Sequence, residues 1–173
     1  MSKHPTRSAD RSPAGDRSCS ATLAEHKYGM RLLCVREPTR EEVSGRRMTT
    51  PRDVHETMLP YFRRDAVEVV WLLALNGQGR MIGGEPIELS RGTANQALVS
   101  PRDIMRTALV AGAVSIILAH NHPSGDPTPS PEDEAVTRRV AAAGRAVGVP
   151  LLDHVVLTTG GYVSLADRGA IEA

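Results

Sequence analysis

One stretch limits the folds open to this chain more than any other. Val114 to Ala119 (VSIILA) is almost wholly apolar, and it runs without a spacer into His120-Asn121-His122-Pro123-Ser124-Gly125-Asp126-Pro127-Thr128-Pro129. A short apolar run bounded by turn residues reads as a buried strand, and the polar, proline-stiffened loop after it ends that strand. Ser130-Pro131-Glu132-Asp133 then has the S-x-x-[DE] form of a capping box with proline at the first helical position, which opens a helix to about Gly148. A buried strand, a polar mouth and a capped helix in immediate succession demand a sheet whose faces are covered.

The rest of the chain supplies such a sheet. Thr50-Pro51-x-Asp53 starts a predicted helix over 51–64, with Arg63 and Arg64 suited to its C-terminal dipole. Val67 to Leu75 (VEVVWLLAL) is a β-rich run holding one charge, Glu68, and it stops at Asn76-Gly77-Gln78-Gly79. Met81 to Leu89 is its expected hairpin partner, closed by Arg91-Gly92-Thr93. Ser100-Pro101-Arg102-Asp103 opens a further helix ending near Gly112, and Leu151 to Thr158 and Tyr162 to Leu165 read as closing strands around Gly160-Gly161. Tyr28 to Val35 reads as an early strand. Interleaved helices and strands with hairpin-like neighbours give the expected fold class as α/β or α+β, a three-layer sandwich with a central mixed sheet flanked by helices.

Composition bounds the partners. At 173 residues with 40% hydrophobic positions the chain fits one domain and a tail. Residues 1–24 have almost nothing to bury and read as a flexible leader, leaving 25–173 as the domain. Twenty-one Lys+Arg against 20 Asp+Glu give a net charge of +1, so the basic footprint that dominates nucleic-acid affinity is missing. What basic excess exists is N-terminal, with 13 Lys+Arg and 8 Asp+Glu in residues 1–64. Two cysteines, Cys19 and Cys34, build neither a disulfide framework nor a cysteine-based metal cluster, and Cys34 reads as core packing. No apolar stretch approaches the roughly 20 residues of a membrane span, and the N-terminus lacks a signal-peptide apolar region, so the expected location is the cytoplasm. No feature of the sequence assigns an oligomeric state.

The chemistry concentrates at the polar mouth. His120 and His122 share a face by the period of two of a strand, and Asp133 sits in the first turn of a helix that the loop returns to them. Two imidazoles and one carboxylate make a three-ligand site with an open fourth position, as catalytic zinc sites have. H-x-H alone also fits polar loop residues beside an aspartate that complements a helix N-terminus. Glu68, a lone carboxylate in an apolar strand, is the candidate general base, although a strand start exposed to water would accommodate it equally. Glu85 and Glu88 are rivals in the partner strand. Ser130 can cap the helix or donate to an oxyanion, and Asp126 is a substitute ligand or a turn residue. Asp153-His154 reads as a satisfied structural pair, with support of the metal ligands as the alternative. The RRVAAAGRAVGV stretch is a helix packing face with exposed arginines.

His120-x-His122-x7-Ser130-x2-Asp133 with an upstream glutamate resembles the JAMM, or MPN-type, metalloprotease motif. The wider text is closer to the RadC-like branch: RGTANQALVSPRDIM, ILAHNHPSGDPTPSPED and LLDHVVLTTGGYVSLADRG match that branch's segments in order over roughly residues 28–170. The resemblance implies a cytidine deaminase-like α/β/α sandwich, one zinc ion per chain on His120, His122 and Asp133, an oxyanion-stabilising Ser130 and a general acid/base Glu68. Two departures stand out. Ser100 precedes Pro101-Arg102-Asp103 where members of the branch often have histidine before Pro-Arg-Glu, and residues 1–50 carry no helix-hairpin-helix pattern.

The expected function is therefore a zinc-dependent hydrolase of the metallopeptidase or isopeptidase type, in which a zinc-bound water attacks an amide carbonyl of a peptide or isopeptide-linked substrate. The rival from another class is a DNA-repair-associated accessory protein with a non-catalytic zinc site, its basic N-terminal part touching phosphates. Three well-placed ligands favour the enzyme, because structural zinc sites normally take four. The same metal chemistry would also serve a phosphodiesterase.

Overall fold

Two apolar faces on the same strands organise this chain. The structure, a computed structural model, describes residues 46–62, 66–92 and 100–171, all within one unit spanning Val35–Ala173. The expected leader and its boundary at residue 24, the early strand at 28–35, both cysteines, Arg63, Arg64 and Thr93 lie outside the described residues.

In chain order the elements are α1 (Pro51–Phe62), β1 (Glu68–Leu75), β2 (Ile87–Gly92), α2 (Pro101–Val110), β3 (Ser115–Asn121), α3 (Pro131–Val147), β4 (Leu151–Thr158) and β5 (Gly161–Ser164). The strands form one mixed sheet in the order β2-β1-β3-β4-β5, antiparallel throughout except for the parallel pair β3 and β4. Alternation along β1 divides the core. Val69, Trp71, Leu73 and Leu75 pack with Val54, Met58 and Phe62 of α1, while Leu72 and Ala74 pack with Ile104 and Ala108 of α2 and Val136 and Val140 of α3. In β3, Ile117 and Ala119 join the α1 side and Ile116 and Leu118 the α2/α3 side. Helices thus cover both faces, which is why the central strands are apolar without a break. The expected three-layer α/β sandwich with a central mixed sheet is the fold.

The local signals hold at the helix starts. Ser100 caps α2 and Ser130 caps α3, each with proline in the first turn, and Gly148 ends α3 in the left-handed region at φ +75°. Two boundaries differ from expectation. The hairpin partner of β1 begins at Ile87, not Met81, because Gly83 and Gly84 both take positive φ and turn the chain; Met81 makes only an isolated bridge to Leu75. Arg91 and Gly92 lie inside β2, pairing with Val69 and Glu68, and do not close it. β3 also runs two residues past Ala119, because β1 and β4 flank it and His120 pairs with both Val70 and Val156. No helix among the described residues is long and apolar enough to cross a membrane.

Candidate metal centre

The β3-α3-β4 crossover places the carboxyl end of β3 against the amino end of α3, the position where open α/β sheets present their functional groups. Register sets the first ligand. Val70 pairs with His120, so the His120 side chain joins the even-numbered face that α2 and α3 cover, and it is 1% exposed. His122 follows the strand end, held there by its backbone N–H donating to the Leu157 carbonyl at 2.9 Å. Asp133 arrives with the first turn of α3, and its Oδ2 accepts from the Ser130 backbone N–H at 2.8 Å and from the Ser130 hydroxyl at 2.6 Å.

These three side chains converge. His120 Nε2 lies 3.0 Å from His122 Nε2 and 3.4 Å from Asp133 Oδ1, and His122 Nε2 lies 3.8 Å from Asp133 Oδ2. They form a group able to hold a metal ion, with all ligand atoms within 4.8 Å of one another. Bonds of about 2.05 Å around a tetrahedral zinc ion put neighbouring ligands roughly 3.3 Å apart, so the spacings fit with shifts of a few tenths of an ångström.

Proton direction strengthens the fit. The Asp126 carbonyl can only accept, so the 2.8 Å contact from His122 Nδ1 is an N–H donor and leaves His122 Nε2 with a lone pair. A neutral imidazole carries one proton, and burial holds His120 well below the ordinary histidine range, with His154 adding to the effect and Asp133 opposing it. Burial, then His122, pushes His154 down to about 4. Nitrogen lone pairs and a carboxylate facing one another inside 4 Å repel unless a cation or a proton lies among them. A metal ion meets that requirement, and the donor set of two imidazoles and a carboxylate is one that zinc accepts.

Glu68 opens β1 opposite Gly92, two residues before Val70 and on the same face as His120. A cavity of about 20 Å³ lies among Glu68, His120, Asp133 and His154. Burial raises the Glu68 carboxyl above 4.5, the Asp133 charge raises it further, and His122 opposes both. The half-buried site thus favours the protonated form more than water does, which suits a carboxyl that accepts and returns a proton. Of the rival carboxylates, Glu88 is exposed on β2 and paired with Arg91 at 2.7 Å, whereas Glu85 lies exposed in the bend before β2 and not in the strand.

The structure bears out the turn reading of Asp126 and the cap of Ser130, and corrects the pairing of Asp153 with His154. Asp126 contributes its backbone carbonyl to His122, while its carboxylate accepts from the Thr128 backbone N–H at 2.9 Å in a turn. Ser130 Oγ accepts from the Asp133 backbone N–H as the cap, while its hydroxyl proton, the one an oxyanion would need, is donated to Asp133 Oδ2. Asp153 and His154 are not a side-chain pair. Asp153 Oδ1 accepts from the His154 and Ala166 backbone N–H groups and from the Ser164 hydroxyl, tying β4 to the turn after β5, whereas the His154 ring lies on the other side of the strand, 2.8 Å from His120 Nδ1.

Sequence reasoning missed Asn121 and Thr137. Asn121 Oδ1 accepts from the Val69 N–H at 2.8 Å and its Nδ2 donates to the Val67 carbonyl at 3.0 Å. Alternation alone puts Asn121 on the face opposite its histidine neighbours, so a buried amide there needed partners of its own. Thr137 stands one helical turn after Asp133, a spacing that places it on the same face.

Comparison with known proteins shows the family of the chain. The family described as the RadC-like JAB domain matches residues 48–170. A UPF0758 protein of Symbiobacterium thermophilum is 43% identical over 124 residues, 72% of this chain and 52% of the relative. Another, from Geotalea uraniireducens, is 39% identical over 137 residues, covering 79% and 59%, and one from Methanosarcina mazei is 36% identical over 140 residues, covering 81% and 60%. The chain therefore spans little more than half the length of these relatives.

Proposed function

Because the chain belongs to the RadC-like JAB domain family, we propose that it is a cytoplasmic zinc-dependent metallohydrolase of the metallopeptidase type, acting on an amide bond of a peptide or isopeptide-linked substrate. The observation that carries this reading is the convergence of His120 Nε2, His122 Nε2 and the Asp133 carboxylate at the end of β3, with a perturbed carboxyl beside them. These three ligands would hold a zinc ion, which would supply a Lewis acid to polarise a carbonyl and lower the pKa of water to about 7.

The chain's own residues do the rest. Glu68 takes the proton of the attacking water on its carboxylate and returns it to the departing amine nitrogen, so that it ends the cycle as it began. Asp133 is held in orientation by two donors from Ser130, which keeps Oδ1 directed at His120. For Ser130 to donate to the oxyanion of a tetrahedral intermediate, its hydroxyl must turn from Asp133 Oδ2. That turn of the O–H leaves the Oγ lone pair on the Asp133 backbone N–H, so the cap is kept while the proton serves the oxyanion.

The test is metal content by elemental analysis after dialysis against a weak chelator, on wild type, His122→Ala and Glu68→Gln, followed by peptide and isopeptide cleavage assays. One zinc per chain in wild type and Glu68→Gln, lost in His122→Ala, with turnover only in wild type, is expected. A wild-type chain that retains no zinc overturns the proposal, and so does loss of zinc in Glu68→Gln.

A further inference from the structure

Behind His120 lies a chain of three hydrogen bonds whose direction is set at its far end. The Thr137 hydroxyl is 2.6 Å from the Asp133 backbone carbonyl, an oxygen that can only accept, so the threonine proton points there. Thr137 Oγ1 must then accept across its 2.7 Å contact with His154 Nδ1, which places the His154 proton on Nδ1. His154 Nε2 is left with a lone pair and accepts from His120 Nδ1 at 2.8 Å. Each step leaves one choice for the next, and the last one leaves His120 Nε2 free of hydrogen on the side facing His122 and Asp133.

The geometry points to His154 and Thr137 as positioning residues that hold His120 in the one tautomer able to ligate a metal ion, through a relay that begins at the backbone of the same helix turn that carries Asp133. The inference rests on the metallohydrolase reading of the centre and deepens it. Ligating histidines commonly have their second nitrogen satisfied by a carboxylate, a carbonyl or water. Here a second, buried imidazole takes that place, and an imidazole can face either way. Thr137 removes the ambiguity. Without its hydroxyl, His154 is free to carry its proton on Nε2, and the proton of His120 is then displaced onto Nε2, where it blocks ligation. All the residues are buried: His120, His154 and Thr137 are 1%, 3% and 0% exposed, so bulk water does not compete for the relay.

Two measurements test the relay and the centre separately. Long-range ¹H–¹⁵N correlation on the metal-free protein reads the tautomers directly; Nδ1–H on both His120 and His154 is expected, and Nε2–H on His120 overturns the relay whatever the protein does with zinc. Zinc affinity by competition with a chromophoric chelator is then compared across Thr137→Val, Thr137→Ser, His154→Phe and His154→Gln. Thr137→Val, which keeps shape and loses only the hydroxyl, and His154→Phe are expected to bind zinc about 10–100-fold more weakly. Thr137→Ser restores the hydroxyl and His154→Gln restores an acceptor for His120, and both are expected to recover affinity. Thr137→Val binding zinc as tightly as wild type, with an unchanged melting curve, overturns the relay and leaves the metal centre standing. A wild type that binds no zinc while showing the expected tautomers overturns the metal reading and with it the role assigned to the relay.

Discussion

Asn121 clamps the backbone on both sides of Glu68: its side-chain oxygen accepts from the Val69 N–H at 2.8 Å and its nitrogen donates to the Val67 carbonyl at 3.0 Å. The last residue of β3, between His120 and His122, thereby holds the start of β1, extending the ladder between the two strands by a side chain. The Glu68 carboxylate is thus positioned by the residue next to His120 on β3.

Replacement of Asn121 by alanine leaves the Val69 N–H and the Val67 carbonyl without this partner, so a loss of about 1–3 kcal/mol is expected in urea denaturation. Zinc content should stay at the wild-type level while turnover falls, because Glu68 loses its fixed position and the ligands do not. Loss of zinc together with turnover would place Asn121 in support of the ligands instead.

Glu68→Gln should lower turnover by about 10²–10⁴-fold, the range of a positioned proton-transfer group. Its stability has a pH signature in the metal-free protein. The folded state raises the Glu68 pKa above 4.5, mainly by burial, so wild type loses stability as pH rises through 4.5 and stops losing it above the folded value. The variant carries no such charge. It should match wild type in acid and exceed it near neutrality, as followed by denaturation between pH 4 and 8.

Asp53 shows the opposite sign. The Thr49 hydroxyl is the leading cause of its depressed pKa, with the Thr49 and Thr50 N–H groups and the Thr50 hydroxyl also donating to Oδ2, so the carboxyl sits well below 3.8. Its contribution to the start of α1 is complete above the unfolded pKa and is lost as pH falls through the folded one. Asp53→Ala should cost about 1 kcal/mol at pH 7, the usual scale for a helix cap, and the difference from wild type should shrink in strong acid.

Gly144→Ala tests the packing of α3. Alanine is favoured over glycine in a helix by about 1 kcal/mol. A Cβ at this position, however, meets the Val149 carbonyl oxygen at 2.5 Å and the Leu151 nitrogen at 3.3 Å, both of them backbone. Backbone cannot swing aside as a side chain can, so overpacking wins and the variant should lose about 1–3 kcal/mol in thermal or chemical unfolding.

The elements were legible where local chemistry decides them. Ser130-Pro131-x-Asp133 carries its own cap, and the structure shows both bonds of the box. The apolar run into His120 required burial on both faces, and β3 has it. The second strand of the hairpin was misplaced because two consecutive glycines, Gly83 and Gly84, turn at positive φ inside a segment whose flanking residues suit a strand. The direction in which a buried polar side chain points was the least legible feature. Asp153 and His154 are neighbours in sequence and share no side-chain contact, since successive residues of a strand face opposite ways.

By itself the sequence determined the three-layer α/β class, the capped helix and the grouping of His120, His122 and Asp133, because each follows from periodicity, capping or short spacing that a chain carries locally. Only the tertiary structure decided which nitrogen of His120 is free. That depends on His154 and Thr137, brought from β4 and α3 to one buried point, 34 and 17 residues distant from their partners in the relay. Hydrogen-bond direction propagates through space from a carbonyl that can only accept, and no spacing in the chain encodes where that carbonyl lies.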